Sequence, residues 1–264
     1  MLNKKEITQL LNTFFIGHSA QFLDTCDSTN QVALDAAMAG APEGLLVSTE
    51  VQTAGRGRQR RLWHSPPGLN LYFSILLRPN CPQPRLPQLA MLAALALHQG
   101  LRRLAPELPI DLKWPNDLWL HGRKLSGILC ECPPQSGDAC AIVVGIGLNV
   151  NSLREDFPPE LQETATSLKI AAGHDFDRAA VLAAILNALE PLYHDWLALS
   201  DLEPFLAYWD QYDLLRGKTI TVLRPADRLT GTVLGLTAEG RLRLAVPGRG
   251  EVVVDVGDVH LEKA

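Results

Sequence analysis

The sequence predicts an α+β protein: a mixed β-sheet flanked by helices, followed by a small all-β module. Strand-like apolar runs alternate with Ala/Leu-rich helical runs up to Leu215. Beyond that residue, glycines separate short β-branched runs. Of the 264 residues, 47% are hydrophobic and 20% are charged, which is typical of a chain with a globular core. We therefore expect one large domain over residues 1–214 and a second over 215–264.

The larger domain contains the predicted helices and most of the strands. The helical periodicity covers residues 3–15, 31–39, 87–104, 176–199 and 202–212. Pro191 is expected to kink or divide the fourth of these helices. Strands are predicted at 21–26, 45–51, 69–77, 109–114, 117–120, 124–131 and 141–150. Residues 27–30, DSTN, form a cap or turn, and 52–67 contain too much Gly and Pro for regular structure.

The C-terminal module should be built from strands alone. Its β-branched runs cover residues 219–223, 230–236, 241–246 and 251–256.

Charge, apolar run lengths and cysteine content exclude several classes of protein. The longest apolar run, residues 89–97, is far shorter than the ~18 residues that cross a bilayer. The N-terminus lacks the apolar core of a secretory signal, and five cysteines without a C-x-x-C pair favour reduced thiols in the cytoplasm. A net charge of -5 argues against a globally basic nucleic-acid binder. No histidine or cysteine spacing indicates a metal site made of protein ligands alone.

Residues 55–61, GRGRQRR, are the strongest candidate for binding an anion. Four arginines in six positions repel one another unless an anion or solvent compensates them, and the two glycines let a ligand approach the backbone. Guanidinium groups bind phosphate or carboxylate through paired hydrogen bonds. A solvated basic loop and a nucleic-acid patch remain alternatives at this point.

Two further segments combine polar residues with strand patterns. If a tight turn at His121-Gly122 joins the flanking strands, Asp117 and Lys124 lie on neighbouring strands and meet a common ligand. The alternative is that the lysines reach water at strand ends. Residues 145–151, GIGLNVN, place glycines inside a strand, which indicates either close approach of another backbone or a ligand, or a simple bulge.

Four segments together resemble the biotin-protein ligase family. They are DSTN at 27–30, QTAGRGRQRRLW at 52–63, KWPNDLWLHGRKLSGIL at 113–129 and GIGLNVN at 145–151. The resemblance extends over residues 20–262. It implies a class II synthetase-like catalytic domain with a C-terminal SH3-like barrel, and ATP, Mg2+ and biotin as ligands. The implied activity is that of a biotin-[acetyl-CoA-carboxylase] ligase, which makes biotinyl-5'-AMP and transfers biotin to a lysine of biotin carboxyl carrier protein.

The resemblance also implies site residues. The implied biotin contacts are Ser28, Thr29, Asn30, Gln52, Arg56, Gly57, Arg58, Lys124, Gly127 and Gly145. The implied ATP and adenylate contacts are Arg58, Arg61, Trp63, Lys113, Asn116, Lys124 and Asn149. The implied catalytic residues are Arg56, Arg58, Lys124 and Asp117, with Mg2+ near Asp117 and without a site built from protein ligands only.

The chain departs from the family pattern at two places. The family loop usually reads GRGRRGR, so Arg60 stands where a glycine is usual, which affects loop ordering. Some members begin with a helix-turn-helix domain; about 20 residues precede the resemblance here, so we expect no DNA binding and no repressor activity. A homodimer is left open.

Two other functions compete with this interpretation. Lipoate-protein ligase shares the adenylation chemistry, although the GRGR and KWPND segments favour biotin. A non-catalytic module that binds RNA or protein would use the same arginines without ATP turnover.

Because residues 55–61 carry like charges, we expect this loop to be disordered when empty and ordered by an anionic adenylate.

Overall fold

The computed structural model describes residues 2–134, 141–199, 201–223, 228–255 and 258–261. The helices are α1 (Lys4–Leu10), α2 (Thr29–Met38), α3 (Gln88–Leu104), α4 (Leu168–Ala172), α5 (Arg178–Ala198) and α6 (Glu203–Tyr212). The strands of the larger domain are β1 (Ala20–Cys26), β2 (Leu46–Gln52), β3 (Leu71–Leu77), β4 (Ile110–Lys113), β5 (Asp117–Leu120), β6 (Arg123–Glu131) and β7 (Ile142–Leu148). Those that follow are β8 (Thr219–Leu223), β9 (Arg228–Leu236), β10 (Leu242–Val246), β11 (Gly250–Val254) and β12 (Asp258–Leu261).

The strands form two sheets. The larger has the order β1-β2-β3-β7-β6-β5-β4, in which β1 and β2 are parallel and the other neighbours are antiparallel. The smaller is antiparallel with the order β11-β10-β9-β8-β12. The predicted α+β fold, with a mixed sheet and an all-β C-terminal module, is confirmed.

Helices cover the large sheet on both faces, and strand alternation decides which residues each face receives. Helices α3 and α5 pack against each other, and α3 packs on β4–β7. Helix α2 packs on β2, β3 and β7 from the opposite side. Along β7, Val144 and Ile146 enter the core shared with α3 and α5, whereas Val143 joins the smaller cluster under α2. Because side chains alternate, Gly145 and Gly147 lie on the α2 face, beyond that cluster.

Hydrogen bonds and a shared hydrophobic cluster join the small sheet, and the segment that leads into it, to the larger domain. The indole Nε1 of Trp114 donates to Gly240 O at 2.9 Å, and the backbone N of Leu214 donates to Leu112 O at 2.8 Å. Buried residues of both parts, among them Leu112 and Ile220, belong to one hydrophobic cluster. The small sheet begins at Thr219; a domain division at residue 215 stays a prediction.

The N-terminal helix is shorter than predicted. It ends at Leu10 instead of residue 15. The chain then turns, because the buried carboxylate of Glu190 on α5 accepts hydrogen bonds from the backbone N–H groups of Phe14, Phe15 and Ile16. This tertiary interaction satisfies backbone donors that a longer helix would have used internally.

Pro191 does not divide its helix, so that part of the prediction is wrong. Helix α5 runs from 178 to 198 through Pro191. Buried side chains on both sides of the proline, including Leu189, Tyr193 and Trp196, lie in the same core and hold the two halves together. Helix α4 and strand β12 were not predicted.

Within the described residues, no helix has both the length and the apolar character needed to cross a membrane.

Asp213, just after α6, provides a test of how this junction depends on pH. Burial raises the pKa of its carboxyl from 3.8 to about 6, and the buried Oδ2 has no hydrogen-bond partner. Because the pKa is higher in the folded state, the protonated carboxyl of Asp213 contributes fully to stability below pH ~4, and this contribution is lost as pH rises through about 6. We therefore expect Asp213→Asn to be more stable than the wild type by about 1–2 kcal/mol at pH 8, with the difference shrinking towards pH 4.

Urea unfolding at pH 4, 6 and 8 measures this effect. The exposed Asp24→Asn is the matched control and should show no such trend. An Asp213→Asn advantage that is constant across pH would contradict the prediction.

Candidate active site

Three glycines form the floor of a cavity on the α2 face of the large sheet. In the register of β6 and β7, Gly127 lies directly opposite Gly147, and Gly145 is the neighbour of Ser74 on β3. The pairing is continuous through both glycines of β7, so they do not form a bulge. Beyond the helix, three neighbouring positions on this face of the sheet therefore carry no side chain.

Protein side chains occupy the space that these glycines leave. A Cβ on Gly145 would lie 1.8 Å from Asn30 Oδ1, and one on Gly147 would lie 2.3 Å from Trp63 Cε2. A Cβ on Gly127 would lie 3.1 Å from the same indole. The glycines do allow a close approach, but within the chain the approaching groups are the side chains of Asn30 and Trp63 and not another backbone. Close approach of a ligand stays a prediction.

The N-terminus of α2 supplies one wall of the cavity. Ser28 is its N-cap, and Ser28, Thr29 and Asn30 are all buried. Gln52 Oε1 accepts a hydrogen bond from the backbone N of Thr29 at 3.0 Å, which fixes the amide of Gln52 against the helix start. Unpaired N–H groups at a helix N-terminus favour an anionic or polar ligand.

Asn30 is held entirely by protein groups. Its Nδ2 donates to Leu129 O at 3.2 Å and to Glu131 Oε2 at 2.7 Å, while its Oδ1 accepts from Ser74 Oγ at 2.6 Å. Both amide hydrogens are therefore used. Asn30 lines the cavity as a fixed spacer between α2 and the sheet.

The segment 55–62, which we call the arginine loop, folds over the cavity. Gly57 N donates to Arg61 O at 2.7 Å, and Trp63 N donates to Gly55 O at 2.9 Å. Gln59 has φ +55 within a short 3-10 turn. The side chain of Arg60, the departure from the family pattern, lies outside the described part of the chain.

Arg56 and Arg58 of this loop contact polar side chains at the cavity wall. Arg56 Nη2 lies 3.4 Å from Glu131 Oε1 and 3.3 Å from Gln31 Oε1. Arg58 Nη1 donates to Asn116 Oδ1 at 3.2 Å, while Asn116 Nδ2 donates to Ile128 O. These contacts offset the mutual repulsion of the arginines and aim two guanidinium groups at the cavity.

The hairpin of β5 and β6 brings the predicted charged pair together. His121 and Gly122 both have positive φ, as a tight hairpin turn requires. Lys124 Nζ lies 2.8 Å from Asp117 Oδ1 and 5.7 Å from the centre of the Trp63 ring. The prediction that these two residues lie on neighbouring strands is confirmed, and the structure shows in addition that their charges pair. A common ligand stays a prediction.

The resulting cavity has a volume of about 320 Å³, within the range of small-molecule sites. Four cationic side chains and one carboxylate line it, so its lining favours an anion. Of the predicted site residues, those that line it are Ser28, Thr29, Asn30, Gln52, Arg56, Gly57, Arg58, Arg61, Trp63, Asn116, Asp117, Lys124, Gly127, Gly145 and Asn149.

Lys113 is the predicted site residue that the structure does not bring to the cavity. Its ammonium donates to Val259 O at 3.2 Å and lies 4.3 Å from the centre of the Trp119 ring. Strand alternation does not explain this, because Lys113 lies opposite Asp117 and so shares the sheet face of the cavity. It is on the edge strand β4, and its side chain reaches the small sheet instead of the cavity.

Several residues of the site were not predicted. Glu131 pairs with both Arg56 and Asn30, and His64, Phe157, Leu161, Thr164 and Ala165 line the cavity. The run of polar and proline residues from 151 to 166 carries no periodic signal, so its position over the cavity follows from tertiary contacts alone. His64 was detectable only through its position next to Trp63.

The site fits a Mg2+ ion that arrives with nucleotide. Within the described residues, no group of three or more His, Cys, Asp or Glu side chains could hold a metal by itself. Mg2+ is commonly bound by one or two carboxylates together with substrate phosphates. Asp117 provides such a carboxylate at the cavity wall.

Comparison with known proteins places this fold and cavity in a class. Residues 22–149 match the model of the biotin/lipoate A/B protein ligase family. The fold and site therefore define a protein ligase of the biotin/lipoate class. The bifunctional ligase/repressor BirA of Bacillus spizizenii is 39% identical over 243 residues, which cover 92% of this chain and 74% of that protein.

More distant relatives agree. The biotin--[acetyl-CoA-carboxylase] ligase of Mycobacterium tuberculosis is 34% identical, covering 89% of this chain and 86% of that protein. The structure of biotin protein ligase from Aquifex aeolicus in complex with biotin and ATP matches with a TM-score of 0.81 and 29% identity, covering 94% of this chain and 100% of that one. The chain belongs to the biotin protein ligase family.

The contact between Trp63 and the floor generates a prediction about packing. Gly147→Ala places a methyl group against the indole, so we expect it to lower the free energy of unfolding by about 1–3 kcal/mol. In a Trp63→Ala background the obstacle is gone, and the same change should cost much less. Urea unfolding of the two single variants and the double variant measures this coupling.

Gly57→Ala is the control, because a Cβ there meets only Arg61 O, at 3.8 Å. Equal costs of Gly147→Ala with and without Trp63 would show that the indole does not rest on the floor.

Proposed function

We propose that the cavity binds biotin and ATP, joins them as biotinyl-5'-AMP, and transfers biotin to a lysine of a biotin carboxyl carrier protein. The observation that carries the proposal is the convergence of Arg56, Arg58 and Lys124 on one cavity with a glycine floor. Membership of the biotin protein ligase family, whose Aquifex aeolicus member has been solved with biotin and ATP, supports it.

The first half-reaction brings two anions together. A carboxylate oxygen of biotin attacks the α-phosphorus of ATP, the bond to the β,γ-diphosphate breaks, and pyrophosphate leaves. The three cations offset the repulsion and stabilise the charge that grows on the phosphoryl oxygens, an effect often worth about 3 kcal/mol per aimed donor. Bound Mg2+ would supply further charge neutralisation on the phosphates, with Asp117 as its candidate protein ligand.

The two ends of the cavity suit different parts of the adenylate. At the α2 end, the buried Ser28 and Thr29 and the half-buried Gln52 present polar groups suited to the ureido ring of biotin. At the other end, Trp63 presents an aromatic face, and Asn149 is fixed by its bond to Thr166 O, which suits the adenine side. Lys113 is left out of the proposal, because its ammonium binds the small sheet.

The second half-reaction needs a neutral amine. The carrier lysine attacks the acyl carbon, the bond to AMP breaks, and the amide forms with loss of a proton. Asp117 Oδ1 lies 2.8 Å from Lys124 Nζ. This contact supports a role of Asp117 in orienting the ammonium of Lys124 towards the reacting carboxyl. Its action as a proton acceptor for the incoming amine stays a prediction, as does a cytoplasmic location for the reaction.

A biotinylation assay tests the proposed function. The protein, ATP, Mg2+ and a biotin-acceptor domain are incubated with biotin, and the acceptor is probed with labelled avidin. We expect biotin- and ATP-dependent labelling, together with biotin-dependent release of pyrophosphate.

Lipoate in place of biotin is the control, since the matched family model includes lipoate ligases. Pyrophosphate release with lipoate but not with biotin would reassign the substrate. Absence of pyrophosphate release with either acid would overturn the proposal.

Lys124 tests the electrostatic mechanism. Lys124→Ala should slow biotin-dependent pyrophosphate release by about 10²–10³-fold, because it removes a cation aimed at the developing charge. Lys169→Ala removes the same charge from a lysine that pairs with Asp175 and does not line the cavity, so its rate should match the wild type. A Lys124→Ala rate within threefold of the wild type would contradict the mechanism.

A further inference from the structure

Two separate segments cover the cavity. One is the arginine loop, residues 55–62. The other is residues 153–165, which we call the cover segment; Phe157, Leu161, Thr164 and Ala165 of this segment line the cavity. About 90 residues separate the two in sequence. Any coupling between them must therefore come from a tertiary contact.

The cover segment has turns of its own and one firm attachment to the site. Leu161 N donates to Pro158 O at 2.8 Å, and Gln162 Nε2 donates to Phe157 O at 3.0 Å. Near its end, Lys124 N donates to Thr164 O at 2.8 Å, and Thr166 N donates to Lys124 O at 3.0 Å. The C-terminal end of the segment is thus bound to the backbone of Lys124.

His64 attaches the other part of the cover segment. Its Nε2 lies 2.8 Å from Asp156 O, a distance at which the ring N–H donates to the carbonyl. Its ring centre is 6.5 Å from that of the buried Phe157. His64 directly follows Trp63, whose ring rests on the glycine floor and whose backbone closes the arginine loop through Gly55.

We propose that His64 is a positioning residue that joins the two covers, so that the arginine loop and the cover segment close over the adenylate as one unit. The inference rests on the proposed function. His64 would act through Asp156 and Phe157 and not on the reacting atoms. No signal in the sequence assigns it a role.

The chemistry of the intermediate explains why the two covers need this connection. Biotinyl-5'-AMP is a mixed anhydride that water hydrolyses, so it must be retained until the carrier arrives. A cover that opens independently would let the adenylate escape even while the other stays closed. One hydrogen bond of ordinary strength between the covers is enough to change the escape rate about five- to tenfold.

Pyrophosphate release without a carrier measures the escape. An enzyme that retains its adenylate releases about one equivalent of pyrophosphate in a burst and then stalls. With His64→Ala, we expect a burst of normal size followed by steady release about five- to tenfold faster than in the wild type, because each lost adenylate frees the site for another turnover. The ratio of steady rate to burst size is insensitive to the amount of folded protein.

Two variants serve as controls. His18→Ala removes a similar contact between an imidazole and a backbone carbonyl, with Thr13 O at 2.7 Å, at a place that does not line the cavity, and should not change the ratio. His64→Gln keeps a side-chain N–H donor and should recover at least part of the retention.

A wild-type ratio in His64→Ala would overturn the inference, and so would an equal rise in His18→Ala. If the wild type itself shows no biotin-dependent burst, the proposed function fails first, and the two failures are therefore distinguishable.

Discussion

The site depends on the absence of side chains at three positions of one sheet face. Gly127, Gly145 and Gly147 leave the α2 face open beyond the end of the helix. Trp63 and Asn30 then approach the backbone more closely than any Cβ would allow. Trp63 closes the arginine loop and fixes its position over the sheet, and Asn30 does the same for the N-terminus of α2. The cavity, its covers and its polar wall are therefore arranged around one flat patch of β-sheet.

Charge is handled differently in different parts of the molecule. Away from the cavity, the half-buried Arg178 donates two hydrogen bonds to the buried Glu50, and these bonds stabilise a partly desolvated ion pair. In the cavity, Arg58 rests on the neutral amide of Asn116, and four cations face one lining carboxylate. The lining of the cavity therefore carries more positive than negative charge, which suits an anionic ligand. This arrangement stabilises a developing negative charge without reorganisation of the site.

Local patterns predicted most of the fold and much of the cavity lining. The strands of both sheets and the tight hairpin at His121-Gly122 follow from alternation and turn residues, which act over a few positions. The end of α1 did not follow from a local pattern, because it is decided by contacts with Glu190, more than 170 residues away. Helix α5 continues through Pro191 since the core on both sides outweighs one lost hydrogen bond. Lys113 was assigned to the site by resemblance, but it lies on the edge strand β4 and its ammonium binds Val259 O of the small sheet, a contact that no local pattern reveals.

The sequence by itself determined the class of chemistry: which cations, glycines and amides are present, and in what order along the chain. Residue types and short spacings carry that information because charge, hydrogen-bonding capacity and φ preference are properties of single residues. Only the tertiary structure decided that Glu131 restrains Arg56 and that residues 153–165 cover the cavity. These contacts join positions far apart in sequence, and neither partner carries a local pattern that reveals the other.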